Sequence, residues 1–483
     1  MTTATRPPTA DRRPTEDLPE LPAGWEWTTL GEVVRELKNG LFSGSPSVEP
    51  PGIPILRISA VRQREVAFSG MRFAQRSLEE VQDYLLRDRD LLFTRYNGTL
   101  DLVGVCGLVR NLPEPVIYPD KLIRVRLVEE IILPEYVELY LSTPAPRRFI
   151  QGRAKSSAGQ QGIAGKDLRQ VPIPLPPLAE QRLIVERGEA LLAQTRTARE
   201  ALAPVSALVR QLRQAVLAAA FSGRLSEREP GDEPAGELLE RIRAERKVEW
   251  EDAQLQKGRD PRLFTYQAPA APGEEVSSDI PDHWTQTTLE QVTSAVRVIC
   301  YGILMPKEHV PDGVLYVKVR DIKEDQIDLA NLHRTKPEIA ANYSRAALKK
   351  DDLVLSIRGT YGRVAKVPQE LEGGNITQDT ARLAPSKLID LDYLAYHLRC
   401  LWSQNYLKKV ARGVAVKGVN IADVRLLPIR LAPLAEQRRI VARVEALLAQ
   451  VDVIEQAVAA TSARIADMER AVLARAFRGE LVE

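Results

Sequence analysis

Pro177 to Leu225, PLAEQRLIVERGEALLAQ…AVLAAAFSGRL, returns near the C-terminus as Pro433 to Leu481, PLAEQRRIVARVEALLAQ…AVLARAFRGEL, with no residue inserted or lost between the copies. Roughly 27 of 49 positions match, so one long helix is written twice and its length is held fixed. In the second copy Val444, Leu447, Val451, Ile454, Val458, Ile465, Met468 and Val472 follow the 3,4 spacing of a heptad seam, broken only by Thr461. The first copy carries Gly188, Leu191, Thr195, Ala198, Leu202, Val205, Val209, Leu212 and Val216 there, a seam with smaller residues in its first half. Those early turns admit a closer partner. At 1.5 Å per residue such a helix runs about 65 Å, longer than one globular core needs, which suits a spacer or a docking rail. Gly223 and Gly479 sit where a left-handed cap is expected. Pro204, which removes a backbone donor, predicts a bend in the first copy that Ala460 does not produce in the second.

The repeat extends outside the helices. Each half opens with Pro-x-x-Trp, at Leu21 to Val34 (LPAGWEWTTLGEVV) and Ile280 to Thr293 (IPDHWTQTTLEQVT), which matches Trp25 to Trp284. Strand-like runs follow at Ile53 to Ser59 and Val314 to Val319, placing Arg57 opposite Lys318. A second set, Asp90 to Arg95 and Asp352 to Arg358, runs into Gly-containing turns and apolar returns that read as hairpins. Each globular part then ends with a helix, Leu133 to Ser142 or Leu391 to Leu401, and a polar Gly-rich loop, Gly152 to Lys166 or Lys408 to Asn420. Framework residues match between the halves while these loops diverge, as expected of one fold carrying two specificities.

The predicted fold is α+β: two α/β domains and two long coiled-coil helices, built as an internal repeat. The expected divisions are a disordered leader at 1–20, a first domain at 21–176, a helical spacer at 177–257, a linker at 258–279, a second domain at 280–432 and a terminal helix at 433–483. With 483 residues, 44% hydrophobic and 27% charged, the composition fits a multidomain soluble protein. No apolar run suits a membrane span, and the Thr/Pro/Arg-rich leader lacks the apolar core of a signal peptide, so the chain is expected in the cytoplasm. Cys106, Cys300 and Cys400 are far apart and the four histidines are scattered, which argues for reduced thiols and against a metal site. A net charge of only +2 means that any nucleic-acid field must be local.

Catalytic signatures fail one by one. No Asn/Asp-Pro-Pro-aromatic tetrapeptide is present to hold a target amine, nor a Gly-x-Gly-x-x-Gly after a strand. Gly165-Lys166 resembles the end of a phosphate loop, but Asp167 stands where Ser or Thr belongs. Pro311-Asp312 followed by Asp321-Ile322-Lys323 resembles a nuclease metal site, yet the first half places Ala60 and Gln63 near the corresponding positions. A strand end with solvated charges is the plainer reading.

The remaining polar set suits DNA contact. In the first half it comprises Lys38, Asn39, Arg57, Arg62, Arg64, Arg95, Tyr96, Asn97, Lys155, Ser156, Gln160 and Gln161. The second half supplies Arg297, Tyr301, Lys307, Lys318, Arg320, Arg358, Thr360, Tyr361, Lys409, Arg412 and Lys417. Singly, each is compatible with solvated surface. Together they offer Arg and Lys for guanine, Asn and Gln for adenine, and cations for phosphates. Partner contacts are expected at Leu191, Leu202, Val209, Leu212, Val444, Leu447, Val451, Ile454, Val458, Ile465 and Met468, although the seams could also pack only against each other.

Two units, each opened by Pro-x-x-Trp and closed by Pro-Leu-Ala-Glu-Gln-Arg plus a long helix ending Ala-Phe-x-Gly-x-Leu, resemble the specificity subunit of type I restriction-modification systems. The resemblance covers Leu21 to the C-terminus and rests most on the duplicated box at Pro177 to Ile184 and Pro433 to Ile440. It implies two target recognition domains that read duplex DNA as a bipartite, asymmetric site, separated by two long antiparallel helices with pseudo-two-fold symmetry that dock two modification (methyltransferase) subunits, with room for two restriction subunits. It implies no catalysis and no cofactor on this chain, with S-adenosylmethionine, ATP and Mg²⁺ belonging to the partners. A fused methyltransferase-nuclease and a solo DNA-binding or scaffold protein are the alternatives; the missing cofactor motifs oppose the first, and a methyltransferase partner would discriminate the second.

Overall fold

Trp25 and Trp284 each stand just ahead of a short strand that joins the beginning of a globular part to its end. Glu26–Thr29 pairs antiparallel with Pro172–Leu175, and Thr285–Thr288 pairs in the same way with Pro428–Leu431. The computed structural model describes residues 18–113, 115–157, 159–273, 280–323, 325–414 and 416–481. Most of the expected leader and part of the expected linker therefore lie outside the described residues. The chain divides into two units, one holding the residues up to Ala203 with those from Ala459 onward, the other Pro204–Val458. Each unit thus contains a globular part, the first turns of one long helix and the last turns of the other.

In the first unit an antiparallel sheet runs Val34–Asn39, Leu122–Leu127, Leu91–Thr94, Cys106–Leu108. Its central strands carry apolar residues on both faces: Leu91, Phe93, Ile123 and Val125 join one buried cluster, while Leu92 and Leu122 join another with Tyr118 and Val109, where the buried Arg124 donates to Glu36 and to the Leu85 carbonyl. The second unit repeats the order with Cys300–Tyr301, Thr380–Leu383, Leu353–Ser356 and Val364–Lys366. Leu353 and Leu355 face one cluster there and Val354 the other. The two hairpins read from sequence are the Leu91–Thr94 and Leu353–Ser356 strands with their return partners. Arg57 and Lys318 prove structurally equivalent, since each precedes a single 3₁₀ turn, Ile58–Ala60 and Val319–Asp321. Asp321 accepts the Lys318 backbone N–H at 2.8 Å, so it caps that turn and is only 3% exposed, as an ordinary structural carboxylate would be.

The first long helix runs Leu178–Leu202, stops at Ala203-Pro204, and resumes as Val205–Ala220. The second is continuous over the 43 residues Leu434–Ala476. Within each unit the helices are antiparallel: Thr195 and Arg199 both meet Glu469, with Arg187 meeting the Leu481 carbonyl in one, and Arg213 meets Asp452 and Glu455 while Ser226 meets Glu436 in the other. Gly223 and Gly479 adopt φ of 76° and 80°, and the residues after them donate back to Ala219 and Arg475 at 3.0 Å, closing left-handed caps. A Cβ on either glycine would strike the proline of a Pro-x-x-Trp segment, Pro281 or Pro22. Each helix end is therefore a seat for the opening of a globular part in the same unit. Phe477 packs its ring on Tyr136 and Tyr140, and Phe221 packs on Tyr393 and His397, with centroid separations of 4.8–5.4 Å.

The charged helix read between the halves is Ala235–Gln256. It lies on the second unit through Leu238, Leu239 and Ile242, and its buried Arg246 donates to the carbonyls of Glu290 and Thr293. Beyond the helices expected from sequence, two ten-residue helices, Pro144–Arg153 and Leu401–Val410, occupy the approaches to the Gly-rich loops.

Candidate nucleic-acid interface

The divergent loop of the first unit is not irregular. Lys155–Ser157 and Gln160–Gly162 form a hairpin that adds to Tyr96–Asn97, making a three-stranded sheet. Register places Asn97, Gln161 and Ser156 opposite one another, so these three share a face, while Tyr96, Gly162 and Lys155 share the other. Gly162 is required there because a Cβ would collide with the Tyr96 ring. The Arg95 guanidinium sits 4.8 Å from the Tyr96 ring centroid and donates through Nη1 to the Asp120 carbonyl at 3.4 Å. Asn97 Oδ1 accepts from the Thr99 backbone at 3.1 Å, which steadies the turn. Arg95, Tyr96, Asn97, Lys155, Ser156, Gln160 and Gln161 are thus brought to one edge.

The second unit builds the same edge more sparingly. Gly418 bridges both Arg358 and Arg412, and the Gly359 N–H donates to the Lys417 carbonyl at 3.0 Å. Beside it opens a cleft of about 870 Å³ lined by Arg320, Lys323, Arg358, Thr360, Arg363 and Gln378 among others. Burial and the neighbouring Arg320 charge push the Lys318 ammonium below its ordinary value. His333 is also lowered, first by burial and then by Lys318 and Arg320. The cleft lining sets four cations against one carboxylate, Asp379, with Lys323 also paired to Asp328 at 2.7 Å, so it keeps a positive balance that suits an anion such as a phosphodiester.

Not all the sequence candidates join these edges. Arg64 is only 17% exposed and pairs with Glu189 of the long helix at 2.5 Å. Arg297 donates twice to Asp352 at 2.6 Å, at the start of the strand whose other end carries Arg358. Both are held by internal carboxylates and stand apart from the edges, because a sequence shows a cation but not its distant partner. Lys38 is close to the edge but pairs with Asp83 at 2.9 Å, and that contact draws the Asp83 carboxyl below its usual range. Tyr361 rests against the core. Tyr301 lies 6.0 Å from the Arg345 guanidinium. Asn39, Arg57, Arg62, Lys307, Lys409, Arg412 and Lys417 are wholly or partly exposed, with Arg62 donating to the Val61 carbonyl. Sequence reasoning takes Lys323 for a solvated strand-end charge and leaves out Arg363 and Gln378 in the cleft, and Lys121, whose carbonyl accepts the Arg95 N–H at 2.8 Å. The signal for Lys323 was present, since it follows the same 3₁₀ turn that aligned Lys318 with Arg57.

The helix seams separate into two populations. Val209, Val444, Val451 and Ile465 are buried, with exposures of 6% or less, so they are occupied within their own units. Leu447, Leu202 and Val458 are half-buried. Leu191, Leu212, Ile454 and Met468 are 36–58% exposed, and Leu183, Leu208 and Val453 join them as large apolar side chains facing water. In the first copy Leu192, at 4% exposure, is the buried residue, where the heptad placed Leu191. The closeness anticipated at Gly188 is used internally, because a Cβ there would lie 3.1 Å from Leu139.

Among the described residues no helix is long and apolar enough to cross a membrane, and no group of three or more His, Cys, Asp or Glu is placed to hold a metal ion. Two related antiparallel sheets, each with a polar edge and each joined to long helices, define a duplicated DNA-specificity architecture. Residues 22–203 and 312–460 match the family of the type I restriction modification DNA specificity domain, and the chain belongs to that family. It is 29% identical over 474 residues to the type I restriction enzyme EcoBI specificity subunit of Escherichia coli, covering 94% of this chain and 90% of that one. It is 43% identical over 223 residues to the EcoKI specificity subunit of Escherichia coli strain K12, a match spanning 44% of this chain and about half, 48%, of that subunit. A solved chain from work on complex assembly and conformational transition of the type I R-M system shares the fold, with a TM-score of 0.65 at 20% identity over 96% of this chain and 100% of that one.

Proposed function

We propose that this chain is the DNA-specificity subunit of a type I restriction-modification complex, each polar edge reading one half of a bipartite, asymmetric target. The observation that carries the reading is the duplicated edge: Gly162 pairs with Tyr96 and Lys155 in one unit, Gly418 bridges Arg358 and Arg412 in the other, and the residue ahead of that glycine is Gln161 in the first and Lys417 in the second. Amides suit adenine and guanidinium suits guanine, so two copies of one frame read two different half-sites. The long helices set the gap between them and dock two modification subunits through the exposed apolar positions, with restriction subunits as further partners. Methyl transfer from S-adenosylmethionine and ATP-driven restriction with Mg²⁺ reside on those partners, in the cytoplasm, and this chain carries no cofactor of its own.

The test is to co-express the chain with its cognate modification subunit in a host free of adenine methylation and to map modified adenines at base resolution. A split, asymmetric motif with a constant unread gap is expected, and mass measurement of the purified complex should give two modification subunits per chain. A continuous or palindromic motif, or methylation unchanged when this chain is omitted, would overturn the reading in favour of a solo DNA-binding protein.

A further inference from the structure

We infer that each polar edge carries an apolar wedge, Phe42 in the first unit and Leu304-Met305 in the second, that enters the base stack of its half-site. The inference rests on the DNA-reading function proposed above. In the first unit the strand Val34–Asn39 ends at Gly40, where a Cβ would collide with the Pro119 carbonyl. The next residue is tied on both sides: Leu41 N–H donates to the Tyr118 carbonyl at 2.9 Å, and Asp120 N–H donates to the Leu41 carbonyl at 3.0 Å. Phe42 follows with 75% of its surface exposed. The second unit reproduces the arrangement with different residues. Gly302 abuts the Ile376 carbonyl, Ile303 N–H donates to Ile376 at 2.8 Å, and Gln378 N–H donates to Ile303 at 2.9 Å. Leu304 and Met305 come next, 47% and 74% exposed.

A single exposed apolar side chain needs no explanation. Here the same backbone position exposes one in both units, although the sequences after it differ, and its root is clamped each time. Burying a Phe is worth about 1.5–3 kcal/mol, so holding one rigidly in water forgoes a stabilisation that a folding role alone would have used. The neighbours supply the ligand chemistry. One strand away from the clamped residue, the first unit carries Arg95, whose N–H reaches the Lys121 carbonyl at 2.8 Å; in the second, Ile357 makes the matching bond to the Asp379 carbonyl at 2.8 Å and the cation, Arg358, is the next residue. Cations hold the phosphates while a side chain with no hydrogen-bonding group meets the bases. Phe, Leu and Met are side chains that part a base step and kink the duplex. The cost of parting a step depends on its sequence, least at pyrimidine–purine steps, so a wedge selects bases that no polar group touches.

The test uses the assembled complex with its modification subunits and target duplexes carrying one fluorescent base analogue at a time across each half-site. Phe42→Ala should abolish the rise in fluorescence at one step of one half-site, leave the other half-site unchanged and weaken target binding about tenfold. Phe42→Leu should keep most of the signal, and Leu304→Ala with Met305→Ala should act on the opposite half-site alone. Because these side chains are exposed, the variants should melt as the parent does. The inference is overturned if both alanine variants retain every unstacking signal, or if their loss of affinity is reproduced by replacing a thymine with uracil without any change in stacking, which would make the contact a methyl reading. A parent complex with no target preference would instead overturn the functional reading itself.

Discussion

The Trp25 indole N–H donates to the Glu180 carboxylate at 2.8 Å, and Trp284 repeats the bond with Glu436 at 3.1 Å. The duplicated Pro-Leu-Ala-Glu-Gln box is therefore a clamp: its Glu receives the tryptophan that opens the same globular part, and its Gln fastens the domain that precedes the helix. Gln181 accepts from Leu133 N–H at 2.8 Å and donates to the Pro176 carbonyl at 2.9 Å, while Gln437 accepts from Asp390 N–H at 2.9 Å and donates to Ala432 at 2.8 Å. Each edge is thereby carried on a helix that cannot swivel beneath it.

The two clamps should differ in strength. Glu436 is fully buried and also receives Ser226 Oγ at 2.7 Å and His283 Nε2 at 2.8 Å, whereas Glu180 is partly exposed. Glu436→Ala strands several polar groups and should lower stability by about 2–4 kcal/mol, against about 1 kcal/mol for Glu180→Ala. Denaturant midpoints of the two variants check this, and equal losses would sink the asymmetry.

His397 makes the second unit acid-sensitive. Burial, followed by the Arg430 charge, holds its imidazole down at about 3, and its Nε2 accepts the Arg430 backbone N–H at 3.0 Å in the neutral form. Between the ordinary value of 6.5 and about 3 the unfolded chain binds a proton that the folded one refuses. Stability is therefore full above pH 6.5 and falls as pH drops, by about 1.4 kcal/mol per pH unit. Tyr140, which packs on Phe477 as His397 packs on Phe221, gives the first unit no such term in this range. His397→Gln should be less stable at pH 7 yet flatter between pH 6.5 and 5.5, as urea unfolding at the two pH values would show; an unchanged slope would assign the acid loss elsewhere.

Local features were legible and distant ones were not. The helix caps at Gly223 and Gly479, the break at Pro204 and the matching of Arg57 with Lys318 each depend on a few neighbouring residues, and each is found where the sequence put it. The fate of Arg64 depends on Glu189 and that of Arg297 on Asp352, partners 125 and 55 residues away, which no local pattern reveals. Likewise a heptad marks an apolar stripe but not which side of it faces the chain's own globular part. That is why the heptad marks Leu191 while Leu192 is the residue buried.

The stripe can be divided by experiment. Val451 is 2% exposed and Ile454 is 41% exposed on the same helix. Val451→Asp buries an unpaired charge and should unfold the second unit's helix pair, lowering the melting temperature sharply. Ile454→Asp should leave the melt within a degree or two of the parent and instead release one modification subunit, read as a change in the mass of the complex. A variant at Ile454 that keeps both subunits would remove this face from the docking surface.

At the first edge, reading and holding fall to different side chains. Gln161 lies opposite Asn97 and Ser156 on one face of the small sheet, while Gln160 is exposed near the hairpin tip on the other face, which it shares with Lys155. A glutamine amide can donate to and accept from one adenine at once, but an ammonium only donates and is satisfied by any phosphate. Gln160→Ala with Gln161→Ala should therefore lose about 1–3 kcal/mol of discrimination per base contact removed, confined to one half-site. Lys155→Ala should weaken binding to every sequence alike and flatten its dependence on salt, since a phosphate contact releases counterions but carries no base identity. Arg358→Ala, from the equivalent edge of the second unit, should relax the other half-site and leave the first intact. The measurement is binding to a panel of single-base variants at two salt concentrations with the modification subunits present. If the glutamine pair shifts all sequences equally, or relaxes the half-site that Arg358 governs, then this sheet holds the duplex without reading it.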